Sequence, residues 1–309
     1  MISKIACNSN NFRRKMLMCP SAREAFSYYL KALKFTNSEF VLLPAYIGWS
    51  AHEGSGVFDP VEKLGLQYLF YELDENLNID IKKLEKLFKK NKVKLFVIIH
   101  YFGFTDPLYE QVVALAKKYG IRVIEDEAHA FFTDFVGGAS GRLGDACIFS
   151  LHKMFPVDGG GILCLNHNEV NVLVDPTVHK FPYDYDWHSI SQIRLENMRL
   201  IRQLLQGKES VVIALKDAIN SGNIPQTFPV LIRTVSRDKL YEMMNERGFG
   251  VVSLYHTMIE KISKEEFPGA YFVSKRIMNL PVHQDVESHN IEKMVSTLLE
   301  CISKLESAD

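Results

Sequence analysis

The chain has 309 residues, 47% hydrophobic and 24% charged, with a formal net charge of -1 at pH 7. That length can bury a large core, as one α/β domain or as a major and a minor domain. The near-neutral balance leaves no electrostatic footprint for nucleic acid, and no apolar stretch is long enough to span a bilayer.

Residues 1–7 lack the apolar core and cleavage site of a signal peptide, so a cytoplasmic protein with no membrane partner is expected. The five cysteines, Cys7, Cys19, Cys147, Cys164 and Cys301, form no CxxC pair and no metal-ligand spacing. They read as reduced, mostly buried thiols, and no metal site is expected.

Strand and helix alternate through the first half. Residues 20–33 read as a helix, with Ser21 as N-cap and Glu24 at the capping-box position. Residues 39–44 and 66–73 read as short strands, and 81–90 as a lysine-rich surface helix. Residues 94–101 form a continuous apolar run, as in a strand covered on both faces. A helix follows over 108–119, stopped by Gly120, then a strand over 121–126. Strands over 146–151 and 161–165 complete the run. This alternation predicts a doubly wound α/β sheet, with ligands at the carboxyl ends of its strands. Asp126 and Gly103 fall at such ends.

The character changes after about residue 170. Residues 187–206 read as a long helix, 228–233 as a strand, 237–247 as a helix closed by Gly248, and 290–305 as a final amphipathic helix. The expected organisation is a major domain over 1–175, a linking helical segment over 176–210 and a small α+β domain over 211–309.

Two segments carry chemistry. The strand over 121–126 ends in Glu125-Asp126-Glu127, followed by Ala128-His129. Downstream stand Ser150, His152 and Lys153, then Asp158-Gly159-Gly160-Gly161. A strand-end carboxylate and a lysine in a Ser- and Gly-rich turn suit pyridoxal phosphate: the lysine supplies an imine-forming amine, the aspartate a partner for the pyridine nitrogen. An enclosed, apolar setting would also depress the lysine pKa. Three adjacent carboxylates are costly unless a cation compensates one, and a protonated pyridine would do so.

The other candidates carry two readings each. Ser21-Ala22-Arg23 opens a helix, where free N–H groups bind phosphate, or where Ser21 simply caps. Tyr46 and Trp49 follow a strand end, to stack on a planar cofactor or to pack beneath a loop. His129 serves the cofactor's phenolic oxygen or is a satisfied core histidine. His100 and Tyr101 read as structural.

Together these segments, with Leu43-Pro44-Ala45-Tyr46, His100-Tyr101-Phe102-Gly103 and Asn279-Leu280-Pro281-Val282-His283, resemble the DegT/DnrJ/EryC1/StrS family. The resemblance implies the aspartate-aminotransferase-like fold (fold type I), a three-layer α/β/α major domain with a mostly parallel sheet. It implies a pyridoxal phosphate-dependent aminotransferase, moving an amino group from a donor such as glutamate to a keto-sugar. Lys153 then forms the Schiff base, Asp126 pairs with the pyridinium nitrogen and His129 stands near the phenolic oxygen. Ser150, with Ala22 and Arg23, holds the phosphate. A homodimer with sites at the subunit interface is implied as well.

Two features depart from the family pattern. The step from the Phe149-Ser150 pair to Lys153 is two residues shorter than usual. The stretch between Asn166 and Phe228 is also short, which points to a smaller acceptor or to weaker hold on a nucleotide-sugar. Arg199 and Arg202 could compensate by binding phosphate, whereas Arg194 reads as solvated. Lys153 argues against the family's dehydratase branch, which carries histidine there. The alternative function is a degenerate member that binds pyridoxal phosphate or a sugar nucleotide without turnover.

Overall fold

A computed structural model describes residues 14–167, 170–216, 218 and 221–308, so Cys7 lies outside the described residues. A seven-stranded sheet has the order β1 (Lys15–Cys19), β7 (Gly161–Leu165), β6 (Ala146–Ser150), β5 (Arg122–Asp126), β4 (Val93–Ile99), β2 (Phe40–Pro44) and β3 (Gln67–Tyr71). Strands β3, β2, β4, β5 and β6 run parallel, and β7 is antiparallel to both its neighbours. Helices α1 (Ala22–Ala32), α2 (Phe58–Lys63), α3 (Ile81–Lys90) and α4 (Tyr109–Lys118) connect the strands of this sheet.

A second, antiparallel sheet has the order β10 (Ile277–Pro281), β9 (Thr227–Ile232), β8 (Val212–Ala214). It is accompanied by α5 (Trp187–Leu204), α6 (Arg237–Glu246), α7 (Pro268–Arg276) and α8 (Ser288–Glu306). The fold is the α/β architecture expected. Among the described residues no helix is long and apolar enough to cross a membrane.

Local sequence explains most elements. β4 reads Val-Lys-Leu-Phe-Val-Ile-Ile and is buried throughout except at Lys94. In α3, Leu84 and Phe88 face inward, and the Asp80 side chain caps the helix by accepting from the N–H groups of Lys82 and Lys83. Cys19, Cys147, Cys164 and Cys301 are free and buried, as expected. Behind β6, Phe131, Phe132, Phe149 and Phe155 pack with Phe181, Tyr185 and Trp187 of the following segment into a largely aromatic cluster.

Arg194 overturns one expectation. It is 3% exposed, not solvated. Its Nη1 donates to the carbonyls of Pro225 and Gln226 (3.2 and 3.1 Å), its Nη2 to Gln284 (3.2 Å), and its guanidinium lies over the Phe132 ring. Burial draws its pKa down to about 10, against the opposing field of Asp285. Arg194→Ala would strand three acceptors and open a cavity. The expected loss is about 2–4 kcal/mol of stability, measurable by denaturant unfolding.

Candidate active site

The carboxyl ends of β4, β5 and β6 face the start of α1 across a cavity of about 500 Å3. Segments 47–57 and 253–257 close its remaining walls. This is where a parallel sheet offers open backbone and helix starts to a ligand. Ser21, Ala22, Arg23, Trp49, Asp126, His129, Ser150 and Lys153 all line it.

Asp126 is the last residue of β5 and is 6% exposed. One carboxylate oxygen accepts from the Ala128 N–H (2.9 Å). The other takes no hydrogen bond from the described residues and faces the cavity. Burial raises its pKa, while the Ala128 N–H and the charges of Lys153 and His100 work the other way.

Of the three adjacent carboxylates, only Asp126 is left for a cation to compensate. Side chains alternate along a strand, so Glu125 and Glu127 point away from the cavity. Both are fully buried. Glu125 accepts from Tyr109 Oη (2.5 Å) and from the N–H groups of Gly141 and Gly144 (2.8 and 2.7 Å). His100 Nε2 lies 2.8 Å from Glu125 and 3.3 Å from Glu127, and Ser140 donates to Glu127 (2.8 Å). Burial pushes the Glu125 pKa up, but His100, Tyr109 and Gly144 outweigh it and the net shift is downward. Glu127 is pushed well above the usual range by burial, then by Asp134 and Glu125. Ligand atoms of His100, Glu125 and Glu127 lie within 4.8 Å of one another, yet the Glu125 oxygen facing His100 is already filled by hydrogen-bond donors. The cluster anchors the strand end.

Lys153 is exposed, so the enclosed apolar setting expected for it is absent from the chain alone. Its charge still reaches inward, opposing the burial-driven rise at Asp126 and adding to the burial-driven fall at His129. Buried Met154 and Phe155 hold its turn. The glycine run has a defined role. Gly160, at φ +93, donates to the Pro20 carbonyl (3.0 Å), and a Cβ on Gly161 would overlap the backbone of Ser21 and Ala22. Strand β7 therefore passes hard against the start of α1.

At that start Ser21 caps the helix, accepting from Glu24 N–H (3.2 Å) and bonding to the Glu24 carboxylate (3.1 Å). The first helical N–H groups, at Ala22 and Arg23, have no partner within the helix. The Arg23 guanidinium turns aside to the Glu53 carbonyl and lies 3.9 Å from Asp59, leaving its backbone toward the cavity. Ser150 Oγ is 3.3 Å from His152 Nδ1.

His129 is 2% exposed, and its Nδ1 accepts from the Phe102 N–H (3.3 Å). Burial, then Lys153, holds its pKa well below the usual value, so the ring is neutral with its proton on Nε2. Tyr46 does not line the cavity. It is fully buried against Tyr101 and Tyr255, in the packing role. Trp49 is 47% exposed at the rim. Sequence reasoning missed segments 50–57 and 253–257, Tyr255 above all. Arg199 and Arg202 border a separate groove of about 550 Å3 that shares no residue with this cavity.

The description of the DegT/DnrJ/EryC1/StrS aminotransferase family matches residues 13–174, more than half of the 309. The chain belongs to that family. It is similar to the UDP-4-amino-4,6-dideoxy-N-acetyl-beta-L-altrosamine transaminase of Campylobacter jejuni, at 22% identity over 287 residues, covering 78% of this chain and 75% of the relative. Its fold is similar to that of Helicobacter pylori PseC, an aminotransferase involved in pseudoaminic acid biosynthesis. The TM-score is 0.74 at 17% identity, over 94% of this chain and 87% of that one. It is also similar to E. coli GDP-4-keto-6-deoxy-D-mannose-3-dehydratase with bound hydrated PLP (TM-score 0.73, 16% identity, 94% and 89% covered).

The chain is thus a pyridoxal phosphate-dependent aminotransferase, and the cavity fits that cofactor. A buried carboxylate with one unpaired oxygen awaits a cation, a helix start with free N–H groups awaits an anion, and Lys153 lines the same cavity.

Proposed function

We propose that this enzyme takes an amino group from an amino-acid donor such as glutamate and delivers it to a keto-sugar carried on a nucleotide. The carrying observation is that Asp126, with its unpaired oxygen, and Lys153 line one cavity with the start of α1. When bound, the cofactor supplies the electron sink and carries the amino group between the two substrates. Lys153 Nζ holds the cofactor between turnovers and moves the proton at the reacting carbon. Asp126 would pair with the pyridine nitrogen and hold a proton there, that positive charge keeping the carboxylate ionised. His129 Nε2 donates toward the phenolic oxygen. Ser150 and the N–H groups of Ala22 and Arg23 bind the phosphate. Trp49 at the rim flanks the ring.

The C. jejuni relative is named for transamination of a UDP-linked sugar, which supports the acceptor class. The short 166–228 stretch favours a small acceptor. Binding without turnover is not favoured, because the lysine and the aspartate are both in place. A cytoplasmic homodimer is part of the same reading, with exposed Tyr183, Val178 and Leu173 offered to the second copy. Sedimentation at the two-chain mass checks it.

The test is a nitrogen-15 transfer assay. With pyridoxal phosphate, labelled glutamate and a panel of UDP-, dTDP- and GDP-linked keto-sugars, label should appear in one amino sugar. The donor alone should bleach the cofactor's long-wavelength absorbance. A donor panel that leaves the absorbance unchanged overturns the reading.

A further inference from the structure

Segment 253–259 crosses the site from the C-terminal half of the chain. Trp49 N–H donates to the Thr257 carbonyl (2.9 Å) and Ile259 N–H to the Ile47 carbonyl (3.1 Å). Leu254 N–H donates to Asn279 Oδ1 (3.0 Å), and the Tyr46 hydroxyl to the Leu254 carbonyl (3.4 Å). Between these pins Tyr255 sits at φ +60, in the left-handed region that bulky residues avoid.

The ring of Tyr255 is fixed from several sides. It packs against Tyr46 (5.4 Å between centroids), Tyr101 (5.7 Å), His129 (5.8 Å) and Phe102 (6.2 Å). Residue 48 has to be glycine, because a Cβ there would overlap the tyrosine ring. Strained backbone held by over-determined packing is characteristic of binding sites.

The hydroxyl is the unexplained part. Tyr255 lines the cavity, and its oxygen takes no hydrogen bond from the described residues. Burial, then the field of Asp126, raises its pKa far above physiological pH, so it stays a donor. Tyr255 is half-buried, and its hydroxyl is a donor presented to the cavity with no acceptor among the described residues. Next to it stands the neutral His129, whose Nδ1 is occupied by the Phe102 N–H and whose Nε2–H is free to donate. Two uncharged donors thus share one wall.

We propose that Tyr255 is a further cofactor-contacting residue, its hydroxyl donating alongside His129 Nε2–H to the anionic ring oxygen of bound pyridoxal phosphate. This rests on the site reading given under Proposed function.

Tyr255→Phe keeps the ring and removes only the hydroxyl. The readouts are the cofactor's dissociation constant and the pH midpoint of its bound absorbance band, neither of which requires turnover. A donor favours the state with full charge on the ring oxygen, so its loss should move the midpoint up by about one pH unit. Affinity should fall about 5- to 15-fold. Gly48→Ala, which displaces the ring but keeps the hydroxyl, should also weaken binding. Unchanged affinity and midpoint in Tyr255→Phe overturn the proposal. So does an effect confined to the acceptor's KM, which would put the hydroxyl on the substrate. Borohydride fixation of the cofactor to Lys153 in the wild type is checked first. Its failure overturns the site reading as well, while fixation with an indifferent Tyr255→Phe overturns this inference alone.

Discussion

Lys153→Ala should give a folded protein with no transaminase activity. The side chain is exposed and makes no hydrogen bond among the described residues, so its removal should shift stability by no more than about 0.5 kcal/mol. Its chemical role has no substitute in the cavity. The neighbouring His152 has its pKa lowered by burial and by Lys153, and an imidazole forms no stable imine with an aldehyde. Loss of both the covalent anchor and the proton carrier should cost at least about 10,000-fold in rate, roughly 5.5 kcal/mol. Borohydride treatment followed by peptide mass mapping checks the anchor directly. A cofactor adduct that persists in the alanine variant would rule the assignment out. Lys153→Arg should be equally inactive, since a guanidinium remains protonated.

Asp126→Asn should separate stability from chemistry. In the protein without cofactor, burial raises the Asp126 pKa above its unfolded value, so the ionised form is disfavoured. A carboxyl group shifted in that direction weakens the fold as pH rises through its folded pKa, and the penalty is full above it. Asparagine removes the penalty and keeps an oxygen to accept the Ala128 N–H. The cofactor-free variant should therefore melt about 1–3 °C higher at neutral pH than the wild type, with the gap closing toward acid. Turnover should fall by about 1000-fold or more, because an amide cannot hold the proton on the ring nitrogen; that is roughly 4 kcal/mol. Calorimetry over pH 4–8 and steady-state rates test the two halves. Wild-type turnover in the variant would defeat the role given to Asp126.

What the sequence revealed follows from how local each signal is. Asp126 and Lys153 could be read because each carries its context within a few residues: an apolar strand before the one, serine and glycines around the other. Tyr255 could not. Its ring partners all lie more than a hundred positions away, and the long-range pairing of 253–259 with 46–49 brings it to the cavity. Tyr46 and Trp49 sit in an irregular stretch with no period to say which faces inward. Arg194 did carry a signal. It falls in register with Met198 and Ile201 on the buried stripe of α5, but a charged residue there was read as solvated. Lys153 was expected to be enclosed, a property no single chain's periodicity reports. Strand β1, a five-residue sheet-edge strand of Lys-Met-Leu-Met-Cys, has little alternation to mark it.

The alternation at the end of β5 also limits which insertions and deletions the gene can accept. One residue added or lost between 122 and 126 would exchange parity, sending Asp126 into the buried cluster of His100 and Tyr109 and presenting a glutamate to the cofactor. Both faces would fail at once, so drift by a single codon is closed there. The turn from Leu151 to Gly160 obeys no such parity, because it leaves the sheet and returns by one carbonyl-to-N–H closure between Gly160 and Leu151. Length variation should therefore collect on the lysine side of the site and be absent from the aspartate side.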